Sequence, residues 1–193
     1  MVDNVIKLAE RPTDGQLVAA ALSGTGTAKR ALFDRHVTMV AAIAFRLTGH
    51  DSDVDDIVQD SFIGAFTGLA RLENVEAFRG FLASITTRTA IATLRRRKLL
   101  TRLGLRRREL VRLEALTAPH TPADVVAELR QVYGVIDEFP AHERVVLLLR
   151  RFEDLSLEEI AERTGASLAT VKRRLVRAER LLAQALGMAE SEP

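Results

Sequence analysis

The chain of 193 residues has room for one large or two small domains, and its 47% apolar and 28% charged residues are the balance of a globular protein that buries cores. The absence of cysteine excludes disulfides, thiolate metal sites and cysteine chemistry, and the four histidines (His36, His50, His120, His142) have no ligand-like spacing. The net charge of +2 is unevenly spread: residues 88–112 hold ten basic residues against one acidic, Glu109, and residues 172–180 hold five against one, Glu179, with acidic stretches around both.

In chain order, the N-terminal segment is polar and carries no signal-peptide stretch. No uncharged apolar run approaches the ~20 residues of a membrane span, so a cytoplasmic protein without membrane insertion is expected. Thr13 can cap a short helix bearing Leu17, Val18 and Leu22, which the SGTGT stretch at 23–27 breaks. A second helix follows, with Leu32, Phe33, Val40, Ile43, Ala44 and Leu47 at helical spacing, and Gly49 stops it. Asp51 or Ser52 opens a third, DVDDIVQDSFIGAFTGLARL, and Asn74 can cap a fourth. In the fourth, Phe78, Phe81, Leu82, Ile85 and Leu94 line one side, and the run Arg95-Arg96-Arg97-Lys98 ends it.

Residues 99–122 lose the pattern. They carry Gly104, Pro119, Pro122 and a second basic cluster, Arg106 to Arg108, and read as a linker. Periodicity resumes with Val125, Leu129, Val132, Val135 and Ile136, and Pro140 suits the first position of a helix holding Val145 to Leu149. The expected fold is all-α: a four-helix unit over residues 1–98, a basic linker over 99–122, a second helical unit over 123–187 and a tail over 188–193.

The strongest local signal is SLEEIAERTGASLATVKRRLVRAERLL, residues 156–182. Ser156 and Glu159 form a capping box, Gly165 supplies the freedom for a tight turn, and Ser167 caps a second helix. On that helix Leu168, Val171, Leu175, Ala178 and Leu182 recur at steps of three and four, so they face inward. Ala169, Lys172, Arg173, Val176, Arg177 and Arg180 form the opposite stripe. This is the pattern of a helix-turn-helix whose second helix offers donors to base edges and cations to phosphates. The plainer reading is an amphipathic hairpin with a basic surface. Two basic patches separated by acidic stretches suggest two contacts with a polyanion.

Residues 139–182, FPAHERVVLLLRRFEDLSLEEIAERTGASLATVKRRLVRAERLL, resemble the promoter-reading fourth region of extracytoplasmic-function (ECF) sigma factors, with its "LSxEEIAexxG" and "GTVKSRLxRAR" patterns. Far from it, DVDDIVQDSFIGAF (53–66) resembles that family's "DAEDLVQExFLRAW". The stretch 71–97 follows its "F…FxxWLxxIAxNxAxDxLRRR". The resemblance covers nearly the whole chain in family order. It implies a sigma factor of the sigma-70 family, group 4, with region 2 and region 4 as the two units. The family's linker threads toward the polymerase active-site region. The short form of this group implies neither the long N-terminal region of housekeeping sigma factors nor an appended sensory domain.

The resemblance implies roles for particular residues. Asp53, Asp56, Gln59 and Asp60 match the acidic helix that grips the beta-prime clamp helices of core RNA polymerase, and region 4 implies contact with the beta flap. Asn74, Arg79, Arg88, Arg95, Arg96 and Arg97 match the segment that opens and reads the minus-10 element. Ser167, Thr170, Lys172, Arg173, Val176 and Arg177 match the positions that read the minus-35 element. Phe81, Arg88 and Ala92 stand where the family usually has tryptophan, asparagine and aspartate. Those departures put the identity of the minus-10 bases in question, though not the domain. Arg173, in place of a common serine, adds a bidentate donor that favours a guanine. An anti-sigma factor is the implied regulatory partner, and promoter DNA the substrate of recognition.

Two other classes compete. An autonomous helix-turn-helix regulator explains the DNA-binding end but neither the DDIVQD helix nor the LRRR run. An enzyme is disfavoured, since the sequence offers no glycine-rich phosphate loop, no metal constellation and no nucleophile with a paired base. The neighbouring carboxylates Asp55/Asp56 and Glu158/Glu159 do not converge. No catalytic residue, metal or cofactor is expected.

Overall fold

The computed structural model describes residues 12–105 and 121–187, and all regular structure among them is helical. The first helix, α1 (Asp14–Leu22), begins at a complete capping box: the Thr13 hydroxyl accepts from the Gln16 amide at 3.2 Å, and Gln16 accepts from the Thr13 amide at 2.9 Å. The second, α2 (Gly26–Thr48), stops at Gly49, which takes a left-handed φ of 69° and sends its N–H back to the Phe45 carbonyl. A 3-10 turn over Asp51–Asp53 leads into α3 (Val54–Gly68), which closes in another such turn rather than running to Leu72. Asn74 accepts from the Glu76 amide at 3.1 Å and so caps a short turn that feeds α4 (Phe78–Arg102). Helix α4 continues four residues past Lys98, where the apolar pattern gives out.

The second unit holds α5 (Ala123–Asp137), α6 (Ala141–Arg151), α7 (Leu157–Thr164) and α8 (Leu168–Ala185). Pro140 stands immediately ahead of α6 as its cap residue, one position earlier than the sequence suggests. Its extended ψ of 142° is the reason: the chain enters the helix only at Ala141. Helix α7 starts at the expected box, with Ser156 N–H to Glu159 Oε2 at 2.8 Å and Glu159 N–H to Ser156 Oγ at 3.2 Å. Ser156→Ala removes one of the two reciprocal bonds, so we expect a loss of about 1 kcal/mol. For a chain of this size that is a fall of about 3 °C in thermal midpoint, read by circular dichroism. The expected basic cluster Arg106 to Arg108, most of the linker and the tail lie outside the described residues.

Two cores hold the molecule together. One is private to the first unit: Leu17, Val18, Leu32, Val40, Phe62, Leu69, Phe78 and Leu82 pack between α1, α2, α3 and the start of α4. Phe33, Phe62 and Phe66 stack in series with centroids 4.7 and 5.8 Å apart, so the scarce aromatics of this unit serve its packing. Thr86 and Thr87, fully buried in α4, satisfy their hydroxyls on the Leu82 and Ala83 carbonyls one turn back.

The other core crosses between the units. Leu47, Ile57, Ala90, Ile91 and Leu94 from α2, α3 and α4 share one buried cluster with Tyr133, Ile136, Phe139, Val145 to Leu149, Ile160, Val171 and Ala178. Helix α6 is its axle. Five consecutive apolar residues, Val145 to Leu149, cannot all lie on one side of a helix, and all five are buried. Helix α8 covers one side of α6, while α2 and α4 cover the other.

Candidate nucleic-acid interface

The helix-turn-helix forms as its local sequence dictates. Gly165 ends α7 with a left-handed φ of 68°, and the Ser167 hydroxyl caps α8 by accepting from the Thr170 amide at 3.3 Å. Val171 and Ala178 of α8 are fully buried, with Leu168, Leu175 and Leu182 half-buried beside them. The opposite face, Ala169, Lys172, Arg173, Val176, Arg177 and Arg180, is exposed throughout. The side chains of Ser167, Thr170 and Arg173 form a chain along one edge: hydroxyl to hydroxyl at 2.9 Å, then Arg173 Nη2 to Thr170 Oγ1 at 3.3 Å. Arg173 is thereby aimed along the N-terminal half of the helix, the part that meets base edges when such a helix enters a major groove. Val176 is 58% exposed, a size and position suited to a thymine methyl. Arg177 leans the other way, toward Glu143 of α6 at 3.4 Å.

On α3 the expected acidic face divides. Asp55, Asp56, Gln59 and Asp60 are exposed, while Ile57, Ser61, Phe62 and Ala65 are buried. Asp56, Gln59, Asp60 and Ile63 follow steps of three and four, which places them on one stripe. Ile63, 56% exposed, is a member that reasoning from charge alone passes over. Asp53 is not on that stripe. It is 5% exposed and faces α4, where Arg97 Nη1 lies 3.3 Å from its carboxylate.

The minus-10 set divides as well. Asn74 and Arg79 stand exposed at the start of α4, Asn74 with its carbonyl committed to the cap and Arg79 with Nε on the Met39 sulfur at 3.4 Å. Arg88, Arg95 and Arg96 are exposed further along. With Ala92 and Leu99, Arg88, Arg95 and Arg96 continue one stripe. Arg97 turns inward, 8% exposed, between Asp53 and the His50 imidazole. Helical geometry is the reason, because Arg97 lies three residues after the buried Leu94 and shares its side. Arg88 lies against the turn of the helix-turn-helix: a Cβ on Gly165 would sit 3.8 Å from its Nη1.

Next to Arg97 the two units are joined by a polar clasp that the sequence reading did not anticipate. Arg144 of α6 is 1% exposed. Its Nε donates to the Leu47 carbonyl at 2.8 Å and its Nη2 to the Thr48 carbonyl at 2.7 Å, so it satisfies the C-terminal end of α2. Its Nη1 pairs with Asp137 at 2.7 Å. His50 bridges the same carboxylate to Arg97. Burial alone would raise the Asp137 carboxyl, but the His50 hydrogen bond and the charges of Arg144 and Arg97 hold it at about 2. Around this centre Lys98 Nζ donates to the Glu138 carbonyl at 2.7 Å, and Arg46 Nε meets Glu153 at 2.7 Å. One signal for the clasp was in the sequence: the arginine heading the five-residue apolar run, since a helix buried on all sides must bury whatever cation it carries.

Docking also brings like charges together. Arg95 of α4 and Arg174 of α8 both lie near His142 and, after burial, push its imidazole below the usual histidine range. Among the described residues no group of three or more histidine, aspartate or glutamate side chains is placed to hold a metal, and no helix is long and apolar enough to cross a membrane.

Comparison with known proteins places both units. Residues 32–99 match Sigma-70 region 2, and residues 129–182 match Sigma-70, region 4. The RNA polymerase sigma factor SigV of Bacillus subtilis (strain 168) is 34% identical over 140 residues, covering 72% of this chain and 80% of that protein. The ECF RNA polymerase sigma-E factor of Haemophilus influenzae is 30% identical over 188 residues, 91% of this chain and 96% of that one. Among solved structures, CnrH in complex with the cytosolic domain of CnrY is similar at a TM-score of 0.57 and 26% identity, covering 90% of this chain and 97% of CnrH. The sigma factor RpoE of Bartonella quintana, solved with the anti-sigma factor NepR, shares the fold at a TM-score of 0.60 and 19% identity, over 83% and 98% of the two chains. With both regions matched in order and curated relatives alike over most of their length, the chain belongs to the sigma-70 family, as an RNA polymerase sigma factor of the extracytoplasmic-function group.

Proposed function

We propose that this sigma factor works in the cytoplasm, holding the beta-prime clamp helices of core RNA polymerase through Asp56, Gln59 and Asp60 on α3. Region 4 sits on the beta flap and places α8 in the major groove of the minus-35 element. There Arg173 and Val176 face base edges, while Lys172 and Arg177 meet phosphates. Exposed cations along α4, Arg88, Arg95 and Arg96, follow the backbone of the strand released at the minus-10 element, with Asn74 and Arg79 at the entry. The observation that supports this most is the uncovered outer face of α8, cationic along its length and rigidly backed by Val171 and Ala178. An anti-sigma factor is the natural regulatory partner, since the similar CnrH is held in a complex with the cytosolic domain of CnrY and RpoE in one with the anti-sigma factor NepR. Catalysis belongs to the polymerase; this chain supplies specificity and strand opening.

The test is run-off transcription with purified bacterial core RNA polymerase on a promoter library, with and without the protein. New transcripts that share two upstream elements are the expected result, and they read out the promoter. Asp56→Arg should reduce core binding at least tenfold and abolish those transcripts. Unaltered core binding by that variant would move the polymerase contact elsewhere.

A further inference from the structure

We propose that α1 braces the loop between α3 and α4, residues 69–77, and that Thr13, Gly15 and Glu76 are positioning residues for the reading of the minus-10 element. The inference rests on the function proposed above, in which Asn74 and Arg79 stand at the entry of the released strand, and deepens it. The loop is fixed at both ends by its own unit. Leu69 is buried at its start, and Phe78, which follows it, is fully buried. Phe81 of α4 packs on Gly68, where an added Cβ would stand 3.2 Å from the ring. The middle is another matter: Glu73, Asn74, Glu76 and Ala77 are exposed, with Val75 half-buried among them.

What holds the middle comes from α1. The Thr13 hydroxyl donates to Glu76 Oε1 at 3.0 Å, across 63 positions of sequence. The same hydroxyl accepts from the Gln16 amide, so one side chain both caps α1 and ties the loop to it. The Glu76 carboxylate and the Val75 side chain rest over Gly15. A Cβ there would stand 2.2 Å from Glu76 Oε1 and 3.2 Å from Val75 Cγ2, so glycine is the residue that leaves room for the seat. The brace is itself anchored on α2. Arg35 Nη1 donates to Asp14 Oδ1 at 2.7 Å, His36 Nε2 lies 2.8 Å from Asp14 Oδ2, and Arg35 Nη2 donates to the Pro12 carbonyl at 2.7 Å. His36 is buried, its ring 5.5 Å from that of Phe78, the first residue of α4.

From Glu76 the restraint passes one step further, because its N–H donates to Asn74 Oδ1 at 3.1 Å. That bond occupies the amide oxygen and leaves the nitrogen of Asn74 for a base. Gly15 separates this role from stability. Replacing a glycine within a helix by alanine favours the helix, and the atoms nearest the new Cβ are the far end of an exposed, flexible side chain. Gly15→Ala therefore keeps the fold and unseats Glu76. A loop that is competent only part of the time acts with an affinity reduced by that fraction. With one hydrogen bond lost, the reduction is about fivefold.

The experiment uses the full chain with purified bacterial core RNA polymerase, on a promoter recovered from the run-off library. Strand opening is read as permanganate reactivity of unpaired thymines at the minus-10 element, with core affinity and thermal midpoint measured alongside. The wild type and Glu76→Gln, which keeps the acceptor for Thr13, should open alike. Gly15→Ala and Glu76→Ala should each lower opening about fivefold at unchanged core affinity, with Gly15→Ala melting no lower than the wild type. The two combined should lose no more than either alone, since both break one contact. Equal opening by the wild type and Gly15→Ala overturns the brace and leaves the sigma reading standing. Should Gly15→Ala melt lower, Glu76→Ala against Glu76→Gln decides, and equal opening by that pair overturns the brace. No opening by the wild type overturns the sigma reading, and the brace with it.

Discussion

Arg144→Ala should lower the thermal midpoint by about 10 °C and divide one cooperative transition into two. Arg144 is 1% exposed and serves three acceptors at once: the carbonyls of Leu47 and Thr48 and the Asp137 carboxylate. Truncation leaves the half-buried Asp137 carboxylate facing His50 and Arg97, and two carbonyls at the buried end of α2 with their donor removed. Breaking a buried ion pair by deleting one partner typically costs about 3–5 kcal/mol. At about 2–4 °C per kcal/mol for a chain of this length, the midpoint falls by about 10 °C. The division of the transition follows from where the residue sits. The first unit has a core of its own, and the shared cluster is what couples it to the second. Differential scanning calorimetry reads both effects. A single transition shifted by less than about 2 °C would remove Arg144 from the centre of the interface.

Arg173→Ala should cost about 1–3 kcal/mol at one base pair of the minus-35 element and little at the others. Arg173 is exposed, bonded to Thr170, and lies on the N-terminal half of α8, the half proposed to face base edges. Lys172→Ala should instead weaken binding evenly across sequences and lower the salt dependence of binding by about one phosphate contact. Holoenzyme binding to a library randomised at the minus-35 element, repeated at two salt concentrations, separates the two behaviours. Equal losses on every sequence for Arg173→Ala would make it a phosphate contact as well.

The helix-turn-helix was legible almost residue by residue, because its determinants are local. Ser156 with Glu159, Gly165, and Ser167 with Thr170 each act within four positions, so a capping box, a left-handed turn and a second cap can be read directly and are found in place. The two-stripe pattern of α8 is equally local, and its exposed face contains every residue expected there. Helix ends that depend on neighbours were less legible. Helix α4 outruns its apolar pattern by four residues, with Lys98 donating to the Glu138 carbonyl of the second unit near this end. Helix α3 stops short of Leu72, where Leu69 turns into the first core.

The candidate site divides in the same way. The family resemblance picked out Asp56, Gln59, Asp60, Arg95 and Arg96, all exposed. It also picked out Asp53 and Arg97, which the structure buries. The family, the two helical units and the cationic face of α8 were thus determined by the sequence alone, through contacts spanning one or two helical turns. Only the tertiary structure decided that the two units close on each other. The contacts responsible join Arg144 of the second unit to Leu47 and Thr48 of the first, nearly a hundred positions away. Which carboxylate or carbonyl a cation turned inward will meet is set by which helices pack together, and no spacing along the chain carries that information.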